Sequence, residues 1–357
     1  MAYLNATVLN DYQARDAVNE KRFAAHGVID LVYNSSPFCD FITPSTREKM
    51  ATISGAQAIK IPAIQDQDVT VVTTPGFTFI PDNLTTSVEY TFVAYDIFSG
   101  FRQYDASYAN NNIDRDFDRD TKIKNVLNAM ADRKEGILTT ILDAQRAQTL
   151  DYTAQVNQSS GGGTYTFTGG DILTVNKAAQ QETMFSSLSA LMIANKLDGS
   201  YSTVTSPAGL AVQKMEALKY GANNEKDVQA LGMIPASDMH TSHNISTSAV
   251  FDGYWVQKGA IGMFSNFPYD FRNGTEVDSA KWSVTDVEMP MVKSRLNVYT
   301  DRFKANATNI VSSADTNVIM SAGEEMAMWD RFYVVYPYNS DLSVYPSGIV
   351  KIQGLTS

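Results

Sequence analysis

Two of the three histidines in this chain fall within one six-residue run, Asp238-Met239-His240-Thr241-Ser242-His243. Imidazole nitrogens and a carboxylate oxygen are ligand types for zinc, copper or nickel, so Asp238, His240 and His243 form a candidate transition-metal set. A metal-dependent enzyme is the function such a set would serve. The spacing argues against it. A helix would bring His240 and His243 to one face, but Pro235 upstream and the β-like flanks predict an extended segment. Nothing else in the neighbourhood completes a site, and two polar loop residues are the plainer expectation. His26 lies in the N-terminal stretch, too far along the chain to be counted as a ligand.

Other reactive residue types are equally isolated. Glu324-Glu325 and Asp330, beside Trp329, are the remaining carboxylate cluster, and a solvated helix turn accounts for them better than paired acid and base. Cys39 is the single cysteine, with no histidine near it in sequence, and is expected to be a buried structural thiol. The glycines at Gly161-Gly162-Gly163 and Gly169-Gly170 are followed by Thr164-Tyr165-Thr166, not by the Lys-Ser/Thr pair of a phosphate loop, so they predict turns. No Gly-x-Ser-x-Gly elbow is present. No residue is therefore assigned to catalysis, to a cofactor or to a metal.

Composition narrows the class further. The 357 residues are 44% hydrophobic with 11% aromatics, enough for extensive cores in two or three packing units. The 39 acidic against 28 basic residues leave a net charge of −11, which disfavours a protein that grips nucleic acid through a basic face. One cysteine cannot form an intrachain disulfide, which excludes a disulfide-built fold. The opening Met1-Ala2-Tyr3-Leu4-Asn5 lacks the pattern of a signal peptide, and no apolar run approaches a membrane span. A soluble protein made in a cytoplasm is expected.

The elements that would have to position any site come in a telling order. Residues 1–54 carry a short helical pattern (Asp16 to Ala25) and Pro-marked extended sequence, and predict an arm. From Ala58 to Tyr95 apolar residues alternate between the breaks at Pro62, Pro75-Gly76 and Pro81-Asp82-Asn83, which predicts a long flap of two or three strands. Such a flap is marginal alone and needs something to lie on. Next comes a helix from Asp118 to Leu150, about 50 Å long at the α-helical rise, with acidic residues at its start. Its stripe is Ile123, Val126, Leu127, Met130, Ile137, Leu138, Ile141, Leu142 and Ala144, and Gly136 is expected to interrupt it with a bend. A helix is then predicted over Asn176 to Leu197, a strand over Tyr201 to Thr205, and a helix capped by Ser206-Pro207 and ending at Tyr220. The remainder is β-dominated, most clearly at Met291 to Thr300 and Arg331 to Tyr338. Aromatic clusters such as Phe251-Asp252-Gly253-Tyr254-Trp255 and Phe264-Ser265-Asn266-Phe267-Pro268-Tyr269 predict core, with some residues available as interface anchors.

This order resembles the major capsid proteins of tailed bacteriophages, whose fold is shared with encapsulin nanocompartments. Local support lies in Thr205-Ser206-Pro207-Ala208-Gly209-Leu210, Gly221-Ala222-Asn223-Asn224-Glu225, Leu231-Gly232-Met233-Ile234-Pro235 and Gly253 to Gly262. The resemblance implies an α+β chain divided into an N-terminal arm (1–54), an extended β-loop (55–99), a peripheral domain with the spine helix (100–170), an axial domain (171–275) and peripheral strands with a C-terminal return (276–357). It implies a shell protein that assembles with itself into pentamers and hexamers of an icosahedral viral capsid enclosing double-stranded DNA without binding it specifically. Portal, scaffolding and cement proteins are the implied partners, with no membrane. The implied location is the virion, assembled in the cytoplasm of a bacterial host. An encapsulin-like nanocompartment is the alternative within the fold. Two departures stand out: too few residues precede the flap for a fused scaffolding segment, and no lysine lies between Asp66 and Tyr95 for a covalent weld, Lys60 sitting at the flap's base.

Overall fold

The computed structural model describes residues 26–35, 59–64, 73, 87–105, 112–147, 165–168, 172–175, 192, 195, 197, 200–219, 238–245, 251–265, 283–289, 292–303, 323–336 and 347–354. Three helices run through them: α1 (Gly27–Ser35), α2 (Asn112–Ala144) and α3 (Pro207–Lys219). The strands are β1 (Ile59–Ile64), β2 (Ser87–Phe92), β3 (Ala94–Tyr104), β4 (Tyr165–Thr168), β5 (Ile172–Val175), β6 (Tyr201–Thr205), β7 (Met239–Thr241), β8 (Phe251–Gln257), β9 (Gly262–Ser265), β10 (Ser283–Met289), β11 (Ser294–Phe303), β12 (Gly323–Val335) and β13 (Ile349–Gly354). The class is α+β.

The strands form three sheets. β1 and β2 pair antiparallel as a two-stranded ribbon, Ile59 opposite Phe92 and Ile64 opposite Ser87. A five-stranded sheet has the order β10-β11-β12-β3, with β9 also on β12. β11 covers β12 from Gly323 to Asp330, and β9 takes up Phe332 to Val335, while β3 lines β12 from Gly323 to Tyr333. A six-stranded sheet has the order β4-β5-β13-β8-β6-β7. Its β5/β13 and β6/β7 pairs are parallel and the others antiparallel. The chain passes from this sheet to the five-stranded one in the four-residue turn between β8 and β9, where Gly259 has φ 93° and Ala260 N–H donates to the Gln257 carbonyl at 3.0 Å. That backbone conformation favours glycine.

Helix α2, 33 residues and about 50 Å long, is what the five-stranded sheet packs against. Ile123, Val126, Leu127, Met130, Leu138, Ile141 and Leu142 are buried, as their period of three and four predicts, with Ile137 partly buried. They meet Ile97 and Phe101 of β3, Leu296 and Val298 of β11, and Met326, Met328 and Phe332 of β12 in one core. Two expectations need correction. The stripe ends at Leu142: Ala144 is exposed, because the helix stops there. Gly136 does not interrupt the helix, and a Cβ there would meet nothing within 4 Å. The helix also starts at Asn112, earlier than the sequence predicts.

Two charged side chains lie inside this packing. Lys134 is fully buried; its ammonium donates to Asp330 Oδ2 at 3.0 Å and to Ser294 Oγ, and sits 4.4 Å above the Phe332 ring. Burial pushes the Lys134 pKa down, with the Asp330 carboxylate opposing. Asp330 is therefore part of the core and not of a solvated helix turn. β12 is a strand, so its residues alternate: Asp330 and Phe332 face α2, while Trp329 and Arg331 bond Asp96 of β3 at 2.8 and 2.6 Å. Glu324 and Glu325 separate in the same way, to Arg115 at 3.4 Å and Arg102 at 2.9 Å.

The far end of α2 is tied to the six-stranded sheet. Asp143 Oδ1 accepts from Tyr254 of β8 at 2.9 Å and from Lys351 of β13 at 2.6 Å, and Arg146 Nη1 lies 2.8 Å from Oδ2. Ala147 N–H donates to the Ile349 carbonyl at 2.7 Å.

The stretch expected to be an arm also differs in part. The helical pattern at Asp16 to Ala25 lies outside the described residues, as do Cys39 and the Gly161 to Gly163 turn. Residues 27–35, however, are not arm-like: Val28, Ile29, Leu31 and Val32 of α1 are fully buried. Of the Asn176 to Leu197 helix, only Met192, Asn195 and Leu197 are described, Met192 being helical and buried. The sheets also cross the expected boundaries. β3 spans 99/100, β4 and β5 pair across 170/171, and β13 stands inside the six-stranded sheet.

Two outcomes are expected from this packing. Asp330→Ala leaves Lys134 buried and unpaired, and should lower unfolding free energy by about 3–5 kcal/mol in urea denaturation. The double variant Lys134→Met with Asp330→Leu should recover most of that loss; a double variant as unstable as the single would show that the pair itself, not the orphaned charge, matters. The second outcome concerns pH. Burial alone raises the Asp143 pKa, but the bonds from Lys351 and Tyr254 and the charges of Lys351 and Arg146 outweigh it and hold it below the ordinary carboxylate range. A carboxyl depressed on folding stabilises above its unfolded pKa of about 3.9, and that contribution is lost as pH falls through the folded value. Asp143→Asn should therefore be less stable at neutral pH, by at most about 1 kcal/mol given its partial exposure. The gap to the unmodified chain should close in acid, and a gap constant down to pH 3 would remove the carboxylate's role.

Candidate functional site

The six-residue histidine run folds as the edge strand β7 and the loop that follows. β7 runs parallel to β6, with Met239 opposite Thr203 and Thr241 opposite Thr205. The strand thus separates Asp238 from His243. Asp238 pairs with Lys258 at 2.9 Å. His240 is part-buried on the strand, and burial lowers its pKa, with Asp30 and Asp238 opposing. His243 lies beyond the strand and reaches Asp132 of α2. Asp238, His240 and His243 do not converge on a common point, and the metal-dependent enzyme built on them is not supported by this geometry.

His243 instead joins two residues that sequence spacing did not single out together. Its Nε2 is 3.3 Å from Asp132 Oδ1 on α2, and His26 Nε2 is 3.7 Å from the same oxygen. The two imidazoles meet edge to face, with centroids 5.6 Å apart and planes at 73°. One ligand atom from each of His26, Asp132 and His243 lies within 4.8 Å of the others. Among the described residues this is the cluster whose types and spacing suit a metal ion.

Backbone contacts hold the three together. His26 forms an isolated antiparallel bridge with Ser242, and Ser242 N–H donates to the Thr205 carbonyl at 3.0 Å. The start of α1 then runs so close to β7 that a Cβ on Gly27 would stand 2.4 Å from the Thr241 carbonyl oxygen. Only glycine permits that approach. Behind it, Glu135 of α2 is fully buried and caps α1: Oε1 accepts from Val28 N–H at 3.0 Å and Oε2 from Ile29 N–H at 2.9 Å. The first amides of a helix lack partners within it and carry its positive end, so a carboxylate there is well placed. Burial raises the Glu135 pKa, and the bonds from Ser242, Val28 and Ile29 oppose the rise. Asn244 fixes the next turn by donating to the Asp132 carbonyl at 3.2 Å.

His26 is the buried member, its side chain 8% exposed against 38% for His243 and 40% for Asp132. Neither ring nitrogen of His26 completes a hydrogen bond among the described residues, though Asn128 lies alongside. Burial lowers its pKa, the Asp132 charge opposing. Next to this cluster, Asn244 and Ile245 also line an open cleft of about 620 Å³ with Thr139, Asp143, Tyr254 and Lys351. Arg146 and Lys351 there are already committed to Asp143, and no nucleophile paired with a base appears among the lining residues.

No protein-family model matches the chain. No curated protein matches it either. Among solved structures, the cyanophage A-1(L) capsid asymmetric unit aligns with 95% of this chain and 95% of its own, at 12% identity and a TM-score of 0.52. A structure from Mycobacterium phage Che8 aligns with 88% of this chain and 90% of its own, at 8% identity and a TM-score of 0.47. The holo-SrpI encapsulin complex from Synechococcus elongatus PCC 7942 aligns with 98% and 95%, at 9% identity and a TM-score of 0.39. The chain has the fold of the cyanophage capsid structure, the tailed-phage capsid fold that its order of elements resembles.

Proposed function

We propose that this chain is a structural shell protein that assembles with itself into the pentamers and hexamers of an icosahedral phage capsid around double-stranded DNA. The observation that carries this reading is the likeness to the cyanophage capsid subunit over 95% of both chains. In this reading α2 and the five-stranded sheet form the peripheral domain, the six-stranded sheet with α3 forms the axial domain, and β1 and β2 are the base of the extended loop.

Three physical features agree with it. β1 and β2 hydrogen-bond to each other and to no other described strand, and a lone two-stranded ribbon is marginal in water. A neighbouring subunit is the support it lacks. Phe98 on the outer face of β3 and Phe117 on α2 are 68% and 70% exposed, and aromatic side chains are enriched where subunits meet. The net charge of −11 suits a wall that encloses DNA without gripping it. The virion is the location that follows, with assembly in the host cytoplasm; a portal and separate scaffolding or cement proteins are the further partners. No described helix is long and apolar enough to cross a membrane.

Expression and negative-stain imaging test the reading directly. Replacing Asp66 to Thr86 with a short Gly-Ser turn should leave a folded subunit, judged by its unfolding transition, that no longer forms shells. Shells of normal size from that variant would exclude an intersubunit role for the loop. The second expectation concerns how the shell is held. The loop beyond Lys60 has no lysine up to Tyr95, so contacts should be non-covalent, on the order of 2,000 Å² or more per interface. Particles boiled in denaturant with reductant should run as one band near 39.2 kDa. A ladder of multimers would reveal a covalent weld, and a shorter band proteolytic maturation.

A further inference from the structure

We propose that His26, Asp132 and His243 form a zinc-type metal site that clamps α1 to the long helix α2 and to the loop after β7. Each ligand comes from a different segment: the residue before α1, the middle of α2, and the loop that leaves β7. The inference stands on this chain's own geometry and does not need the shell reading.

The distances suit a tetrahedral ion. Ligands at ~2.0–2.1 Å from zinc stand ~3.3 Å from one another, and the two histidine nitrogens lie 3.3 and 3.7 Å from Asp132 Oδ1. Two imidazoles and one carboxylate are borderline ligands of the kind zinc, cobalt and nickel accept, and calcium or magnesium would demand more oxygen. His26 supplies the second, independent observation. Its side chain is more than nine-tenths buried, faces the cluster, and has neither ring nitrogen in a hydrogen bond among the described residues. Asp132 Oδ1 is likewise buried without a hydrogen-bond partner there. Burying such polar atoms unsatisfied is costly, and one cation would satisfy both. The His26–Ser242 bridge, the Glu135 cap and the Asn244 bond hold the three segments together around the cluster. His243 and Asp132 are partly open to solvent, which leaves an entry path and room for water as fourth ligand.

The experiment uses the full chain, stripped with chelator and then dialysed against zinc or cobalt chloride. About one zinc per chain should remain by elemental analysis, and bound cobalt should show the visible absorption of a tetrahedral site. Zinc should also raise the melting temperature. His243→Gln should lose the cobalt spectrum and the melting shift, with affinity falling by more than the ~10–100-fold that an outer-shell change costs. Asp132→Asn should do the same, and His240→Gln should change neither. His26→Gln is buried and risks misfolding, so the half-exposed His243 carries the decision. Zinc binding that survives His243→Gln, or is lost instead in His240→Gln, would overturn the assignment. So would folded protein that retains well under one metal per chain and melts at the same temperature with and without zinc.

Discussion

Two adjacent charged residues buried in the middle of one long helix constrain everything around them. Lys134 and Glu135 are both fully inaccessible, and an ion taken out of water must find partners where it lies. Neighbours on a helix diverge by about a third of a turn, so these two reach different pieces of the chain. Lys134 reaches Ser294 and Asp330 of the five-stranded sheet. Glu135 reaches the first amides of α1. The helix is thereby fixed in rotation and in register, since a shift of either kind would strand one charge or the other. The apolar stripe supplies area, which is non-directional; the charges supply the unique setting.

From that setting the other contacts follow. With α1 held by Glu135, Gly27 is driven against the backbone of β7, and His26 is placed beside Asp132 and His243. With the helix seated on β12, its C-terminal end falls beside β8 and β13, where Asp143 meets Tyr254 and Lys351. Both sheets are closed by strands distant in sequence, β3 with β12 in one and β13 between β5 and β8 in the other. Such non-local pairing makes the two sheets interdependent, and it belongs to the class of folds that form slowly.

The same architecture explains why no reaction centre is found in the described residues. Most buried charged groups are spent on joining elements: Lys134, Glu135, Asp330 and Arg331 each bridge segments far apart in sequence. In the open cleft beside Asp143, Arg146 and Lys351 are both paired with that carboxylate. Among the described residues, β1 and β2 pair only with each other, and Phe98 and Phe117 are exposed.

The sequence by itself determined what short-range physics decides. The strand Tyr201–Thr205 is read in full, and the helix at Pro207 to within a residue of its end, because alternation, a Ser cap whose Oγ lies 3.4 Å from the Gly209 amide, and a proline at the first position all act within a few residues. The stripe from Ile123 to Leu142 is read from a period of three and four alone. Tertiary structure decided what depends on a partner. The run Gly27 to Ser35 is short, with apolar Val28, Ile29, Leu31 and Val32 beside polar Asp30 and Asn34, and only the presence of α2 and Glu135 turns it from an arm segment into a core helix. Glu324 to Asp330 is helix-like in composition, and only pairing with β3 and β11 makes it a strand that sends Asp330 inward and Trp329 outward. Asp238, His240 and His243 are close in sequence and parted by the strand between them. His26, Asp132 and His243 are far apart in sequence and joined in space. Ligand geometry is a property of distances, and spacing along a chain reports those distances only within a single element.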